Sequence, residues 1–145
     1  MKLKPTLMAA LFGVAVTTAP ALATWPPGTT PTISGTLTLS QSTTIDCDVT
    51  VDLSISGSGV PTITSRSFSP GDWPCGVLVN PTGTWTITPG PGTNKVTLSI
   101  GATSILGSCS GTVQADFNTA TNTITFNNVS VPGTPNACTV NGSLS

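Results

Sequence analysis

The sequence predicts an all-β fold, a single antiparallel β-sandwich or barrel-like domain of about nine strands held by two disulfides. Three observations predict it. Short runs rich in Thr, Val and Ile alternate with Gly, Pro, Asn and Ser clusters from residue 32 onward. The segment 44–55 alternates apolar and polar residues without a break. Four cysteines, Cys47, Cys75, Cys109 and Cys138, all follow an N-terminal export signal, and an even count in an oxidising compartment reads as two disulfides.

The elements follow in chain order. Residues 1–23 carry Lys2 and Lys4, an apolar run over 7–16 and then Ala21-Leu22-Ala23, the order of a cleavable signal peptide. The apolar run is too short for a membrane anchor, which needs roughly 20 residues. The expected destination is the extracellular space or the cell surface, with the periplasm as the alternative, and no transmembrane segment is expected after cleavage. Residues 24–31, with Trp25-Pro26-Pro27-Gly28, read as an extended N-terminal tail in which Trp25 is the most exposed of the three tryptophans. The β-domain then fills 32–145.

Its first strand is expected over 33–40 and its clearest over 44–55. There Ile45, Cys47, Val49, Val51, Leu53 and Ile55 share one parity, and Thr44, Asp46, Asp48, Thr50, Asp52 and Ser54 the other. A period of two puts the first set on the core and the second in water. Further strands are expected over 62–69, 76–80, 84–88, 95–100, 112–117, 123–131 and 138–144. Pro89-Gly90-Pro91-Gly92 reads as a turn at the end of the sheet, because its prolines cannot donate ladder hydrogen bonds.

The two halves of the domain can be laid over one another with an offset that drifts between 61 and 63, which reads either as a degenerate duplication or as the chance self-match of a Thr-, Ser-, Gly- and Val-rich chain. Cys47 falls on Cys109, Val51 on Val113, Thr62-Ile63-Thr64 on Thr123-Ile124-Thr125, Pro70-Gly71 on Pro132-Gly133 and Cys75 on Cys138. Four cysteines allow three pairings, and equivalence of the halves favours Cys47 with Cys75 and Cys109 with Cys138. A zinc site is disfavoured, because there is no His and the nearest two cysteines are separated by 27 residues.

Charge and composition exclude several functions. Without the signal peptide, Arg66 and Lys95 face five aspartates, a net charge of −3. Two cations cannot neutralise a row of phosphates, which excludes nucleic acid as a partner, and a polybasic membrane contact fails for the same reason. So weakly charged a surface has little repulsion to keep copies apart, which makes hydrophobic interfaces or copies of itself the expected partners. The exported part has no His, Glu or Tyr, so the usual general acids and bases are missing and no catalytic residue, metal ligand or cofactor site is expected.

Asp46, Asp48 and Asp52 sit on one open strand face, where two opposed glycosidase carboxyls would flank a cleft, so a solvated face is the expected role. Three tryptophans remain as ligand contacts: Trp25, Trp73 beside Cys75, and Trp85, whose parity with Ile87 suits a core position. A membrane-spanning barrel is disfavoured, since its aromatic girdles are rich in Tyr and Trp.

Several short motifs carry a family resemblance: Ser34-Gly35-Thr36-Leu37-Thr38-Leu39-Ser40, Ile45-Asp46-Cys47, Ile63-Thr64-Ser65 leading to Phe68, Cys75-Gly76, Cys109-Ser110-Gly111 and Cys138-Thr139-Val140-Asn141-Gly142-Ser143-Leu144. Together they resemble the secreted bacterial Pra family, protein activators of alkane oxidation. The resemblance implies a non-enzymatic extracellular protein that helps cells take up insoluble hydrocarbon, acting at the oil–water interface as an emulsification aid. It supplies no catalytic residues. Two other roles fit the composition: a self-assembling structural protein of the cell surface or extracellular matrix, and a glycan-binding or adhesive module built on Trp73 or Trp85.

Overall fold

A computed structural model describes residues 25–145, so the signal-peptide reading of residues 1–23 lies outside the described residues. Ten strands follow in order: β1 (Thr32–Ser40), β2 (Thr44–Ile55), β3 (Pro61–Pro70), β4 (Asn80–Pro81), β5 (Thr86–Pro89), β6 (Lys95–Ser104), β7 (Gly107–Asn118), β8 (Thr123–Val131), β9 (Gly133–Thr134) and β10 (Cys138–Leu144). There is no helix among the described residues. The strands pair antiparallel in the order β3-β2-β1-β10-β8-β7-β6-β4, with β5 also on β6 and β9 on β7. At the ends of that order, β3 lies against β4 and β5. One continuous sheet thereby curls into a nearly closed barrel, which decides between the sandwich and the barrel.

The alternation on β2 sets the inside of the barrel. Cys47, Val49, Val51, Leu53 and Ile55 are buried, with Ile45 half-buried at the strand's start. Their neighbours of opposite parity face out, as a two-residue period requires. On β7 the same rule sends Cys109, Val113, Ala115 and Phe117 inward and Ser110, Thr112, Gln114 and Asp116 outward.

Two strands are longer than the sequence suggests. Strand β6 runs past Ile100 through Gly101 and Ala102, and β7 starts at Gly107, because the two pair without interruption from Lys95↔Asp116 to Ser104↔Gly107. Ladder pairing with a full-length neighbour overrides the weak strand preference of Gly and Ala.

The expected strand over 76–80 is instead mostly a loop. The N–H groups of Val77, Leu78 and Val79 all donate to the Pro74 carbonyl, at 3.2, 2.8 and 2.9 Å, and only Asn80–Pro81 joins the sheet. Val77-Leu78-Val79 has strand-forming composition, but it is enclosed by Pro74 and Pro81 and tethered at Cys75. Gly76 adopts a φ of +82°, a conformation that side chains resist, and a Cβ there would stand 2.5 Å from the Phe68 carbonyl oxygen. The Pro89-Gly90-Pro91-Gly92 turn joins β5 to β6, as expected.

The N-terminal segment is fastened to the barrel: Gly28 donates to the Ile55 carbonyl at 3.0 Å, Ile55 to that of Thr29 at 2.8 Å and Leu53 to that of Pro31 at 2.9 Å. Trp25, expected to be the most exposed tryptophan, is only 2% exposed and packs edge-on against Phe117 with ring centroids 4.8 Å apart. The reason is the large apolar area of the indole, for which the end of the barrel where β2 and β7 finish supplies a seat.

Candidate functional site

The opposite end of the barrel, where β2 and β7 begin, is built differently. Four connections meet there: the β1–β2 turn over 41–43, the loop over 71–79, the tip of the β6–β7 hairpin, and the segment from β9 to Cys138. Both disulfides lie at this end. Cys47 on β2 is joined to Cys75 in the 71–79 loop, with Cα atoms 5.6 Å apart, and Cys109 on β7 to Cys138 on β10, with Cα atoms 6.1 Å apart. This is the pairing that equivalence of the two halves favours. The Gln41 amide adds a latch, donating to the carbonyls of Asn136 at 2.7 Å and Thr134 at 3.2 Å. Connections that would otherwise move independently are thus fastened to the barrel wall.

Between them opens a cavity of about 250 Å³ that runs into the barrel. Its inner wall includes Leu37, Val51, Phe68, Trp85, Leu98 and Ile124, and its outer part Pro74, Leu78, Ile105 and Leu106. No charged side chain lines it, and its seven polar residues, from the β1–β2 turn (Ser40 to Thr43) and the β6–β7 hairpin (Thr103, Ser104 and Ser108), belong to the outer part. Around the mouth the surface is strongly apolar. Six large hydrophobic residues are exposed among the described residues, and five of them, Trp73, Val77, Leu78, Ile105 and Leu106, belong to the connections at this end. Only Val60, in the β2–β3 turn, lies at the other end, so the apolar surface is concentrated rather than scattered. Apolar exposure gathered at one end of a molecule in this way is a mark of an interaction site.

The three tryptophans separate widely. Trp73 is 68% exposed in the 71–79 loop and does not line the cavity. Trp85 is in the core, where its parity places it, and forms part of the cavity wall. Its indole N–H is satisfied by the carbonyls of Thr82 and Gly101, both at 3.1 Å, and its ring meets Phe68 edge-on across the seam between β3 and β5. Arg66 crosses the same seam to donate to the Gly83 carbonyl at 2.5 Å. Trp25 closes the far end and has no part in the mouth.

The aspartate face is a hydrogen-bonded surface. Register places Thr38, Thr36 and Thr32 of β1 directly opposite Asp46, Asp48 and Asp52 of β2, and each threonine hydroxyl donates to its aspartate, at 2.6, 2.8 and 2.7 Å. Ser65 on β3 gives Asp52 a second hydroxyl at 2.6 Å. The Ser65 and Thr32 bonds together hold the Asp52 carboxyl below the usual carboxylate range, because both favour its charged form. These carboxylates are spaced along an open strand and each is occupied by its neighbours, an arrangement suited to sheet cohesion.

Sequence reasoning missed the mouth and the cavity. One signal was available. The β6–β7 hairpin turns on Ile105-Leu106, where tight turns ordinarily carry Gly, Asn or Asp. Two large apolar residues held 79% and 51% exposed at a hairpin tip are costly in water unless they contact something. The cavity itself left no comparable trace, since its walls are the ordinary inward parity of the strands.

A sequence model of the family described as alkane oxidation protein activator PraA/PraB-like matches residues 1–145, the whole chain. No curated protein and no solved structure matches it.

Proposed function

The chain belongs to the PraA/PraB-like family of alkane oxidation activators, and from that premise we propose that it acts outside the cytoplasm, without catalysis of its own, by seating its apolar mouth on hydrocarbon at the oil–water interface. There it promotes dispersal of the oil and its uptake by the cell. The observation that carries this reading is the gathering of Trp73, Val77, Leu78, Ile105 and Leu106 at one end of the barrel. A molecule apolar at one end and hydroxyl-rich along its walls orients at an interface, because the apolar end gains by leaving water at about 25 cal/mol per Å². Export is supported by the signal-like N-terminus and by two disulfides, which persist in oxidising compartments.

The disulfides serve this role by fixing the shape of the mouth. An apolar patch on unfastened loops would collapse on itself in water, whereas loops tied at Cys75 and Cys138 keep the patch displayed. The alternatives draw less support. Glycan stacking on Trp85 is blocked by its burial, leaving only Trp73, and self-assembly through sheet edges has little edge to use in a nearly closed barrel.

The test is droplet stabilisation. Mature protein shaken with hexadecane should slow coalescence and lower interfacial tension, and the double variant Ile105→Ser, Leu106→Ser should lose most of that effect while unfolding at the same temperature. Equal activity in the two proteins would overturn the assignment of the mouth.

A further inference from the structure

We propose that the barrel interior is a binding site for a single unbranched alkane, which enters end-on through the apolar mouth and lies along the inner wall. The proposal rests on the interfacial reading for its class of ligand and adds a carrier function to it.

The site has the form such a ligand requires. An apolar cavity of about 150 Å³ stays dry and takes up a molecule as large as benzene. The cavity here, at about 250 Å³, is larger and reaches the end of the barrel where the four connections meet. At the other end Trp25 lies against Phe117, and the N-terminal segment is fastened to Ile55 of β2. The two buried polar side-chain atoms without a partner among the described residues, Trp25 Nε1 and Arg66 Nε, belong to residues that do not line the cavity, so its inner wall gives a polar ligand no handle. Ligand sites normally combine an apolar wall with a few placed polar groups that fix orientation. The inner wall lacks them, the polar residues of the lining standing in its outer part, and such an inner wall selects for hydrocarbon.

The charges at the mouth sharpen that selection. A fatty acid entering tail-first would leave its carboxylate at the rim and need a cation there. The described cations are elsewhere. Lys95 is paired with Asp116 near the closed end, and Arg66 is engaged with the Gly83 carbonyl at the seam. What lies at the mouth end is acidic. The backbone N–H of Asp46 donates to the Asp72 carboxylate at 2.8 Å, and that of Asp72 to the Asp46 carbonyl at 2.7 Å, which fixes Asp72 beside the Cys47–Cys75 bridge. A carboxylate at the rim would meet like charge. The barrel therefore accepts the alkane and disfavours the acid that oxidation makes from it.

Mature protein equilibrated with n-octane vapour, passed through a desalting column and extracted for gas chromatography should retain one octane per chain. Sodium octanoate should bind at least about tenfold more weakly. Across a series of n-alkanes, affinity should rise about fourfold per added methylene while the chain still lengthens inside the cavity, then level off once it is full. Ala102→Phe, which fills the cavity near its mouth, should abolish retention, and Leu39→Phe provides a second filling variant if the first fails to fold, as judged by near-ultraviolet circular dichroism.

No retained octane in the wild-type protein, retention unaffected by a folded filling variant, or octanoate bound as tightly as octane would each overturn the proposal. Droplet stabilisation without octane retention would remove the carrier function and leave the interfacial reading standing. Retention without droplet stabilisation would do the reverse.

Discussion

At the scale of single residues, the side chains that matter differ in what they touch. Trp25 is buried against Phe117, so Trp25→Ala should lower stability by about 3–5 kcal/mol, the usual loss for emptying a large aromatic site, as measured by urea unfolding. Ile105 and Leu106 are exposed, so serine at both should change stability by less than about 0.5 kcal/mol while removing interfacial activity. Asp52 gives a pH signature. Its folded pKa lies below the unfolded value because Ser65 and Thr32 favour the anion, so its contribution is fully present above the unfolded pKa and is lost as pH falls through the folded pKa. Asp52→Asn should therefore flatten the acid limb of a stability-against-pH curve and leave its neutral region the better guide to the lost hydrogen bonds. The outward placement of the aspartates was legible in the parity of residues 44–55. The burial of Trp25 was not, because Trp-Pro-Pro-Gly has the composition of a tail and the contact that buries it lies 92 positions away at Phe117.

At the scale of elements, β1-β2-β3 and β6-β7-β8 are each a three-strand meander, and the middle strand of each opens near a cysteine bonded to a residue beyond the third strand. The bridges span 28 and 29 positions, so the chain-entropy model gives each roughly 3.5 kcal/mol. Cys47→Ala with Cys75→Ala, and Cys109→Ala with Cys138→Ala, should therefore lose similar stability in denaturant titrations. Only the first pair frees the 71–79 loop that carries Trp73, Val77 and Leu78, so it should also broaden the resonances of that loop. Strands with a clean period of two, such as β2, were legible to the residue. The loop over 76–80 was not, because a local Val-Leu-Val signal competes with a tether and two prolines whose combined effect depends on where Cys47 stands.

At the scale of the whole molecule, the barrel is asymmetric along its axis: one end is plugged by Trp25, the other is open, apolar and fastened by disulfides, and the walls between carry threonine, serine and aspartate. This asymmetry arises only on closure, when four connections distant in sequence come to one end. That explains why the sequence marks strands and cysteines clearly but hides the cavity. Family membership supplies the alkane context, and the apolar mouth supplies a physical means of acting in it. The most direct test supplies purified mature protein to cells lacking their own copy and follows their rate of hexadecane oxidation. Wild-type protein should restore a fast rate and the Ile105→Ser, Leu106→Ser variant should not, with both equal when the cells are given a water-soluble carbon source. Restoration by the variant to the wild-type rate would contradict the account.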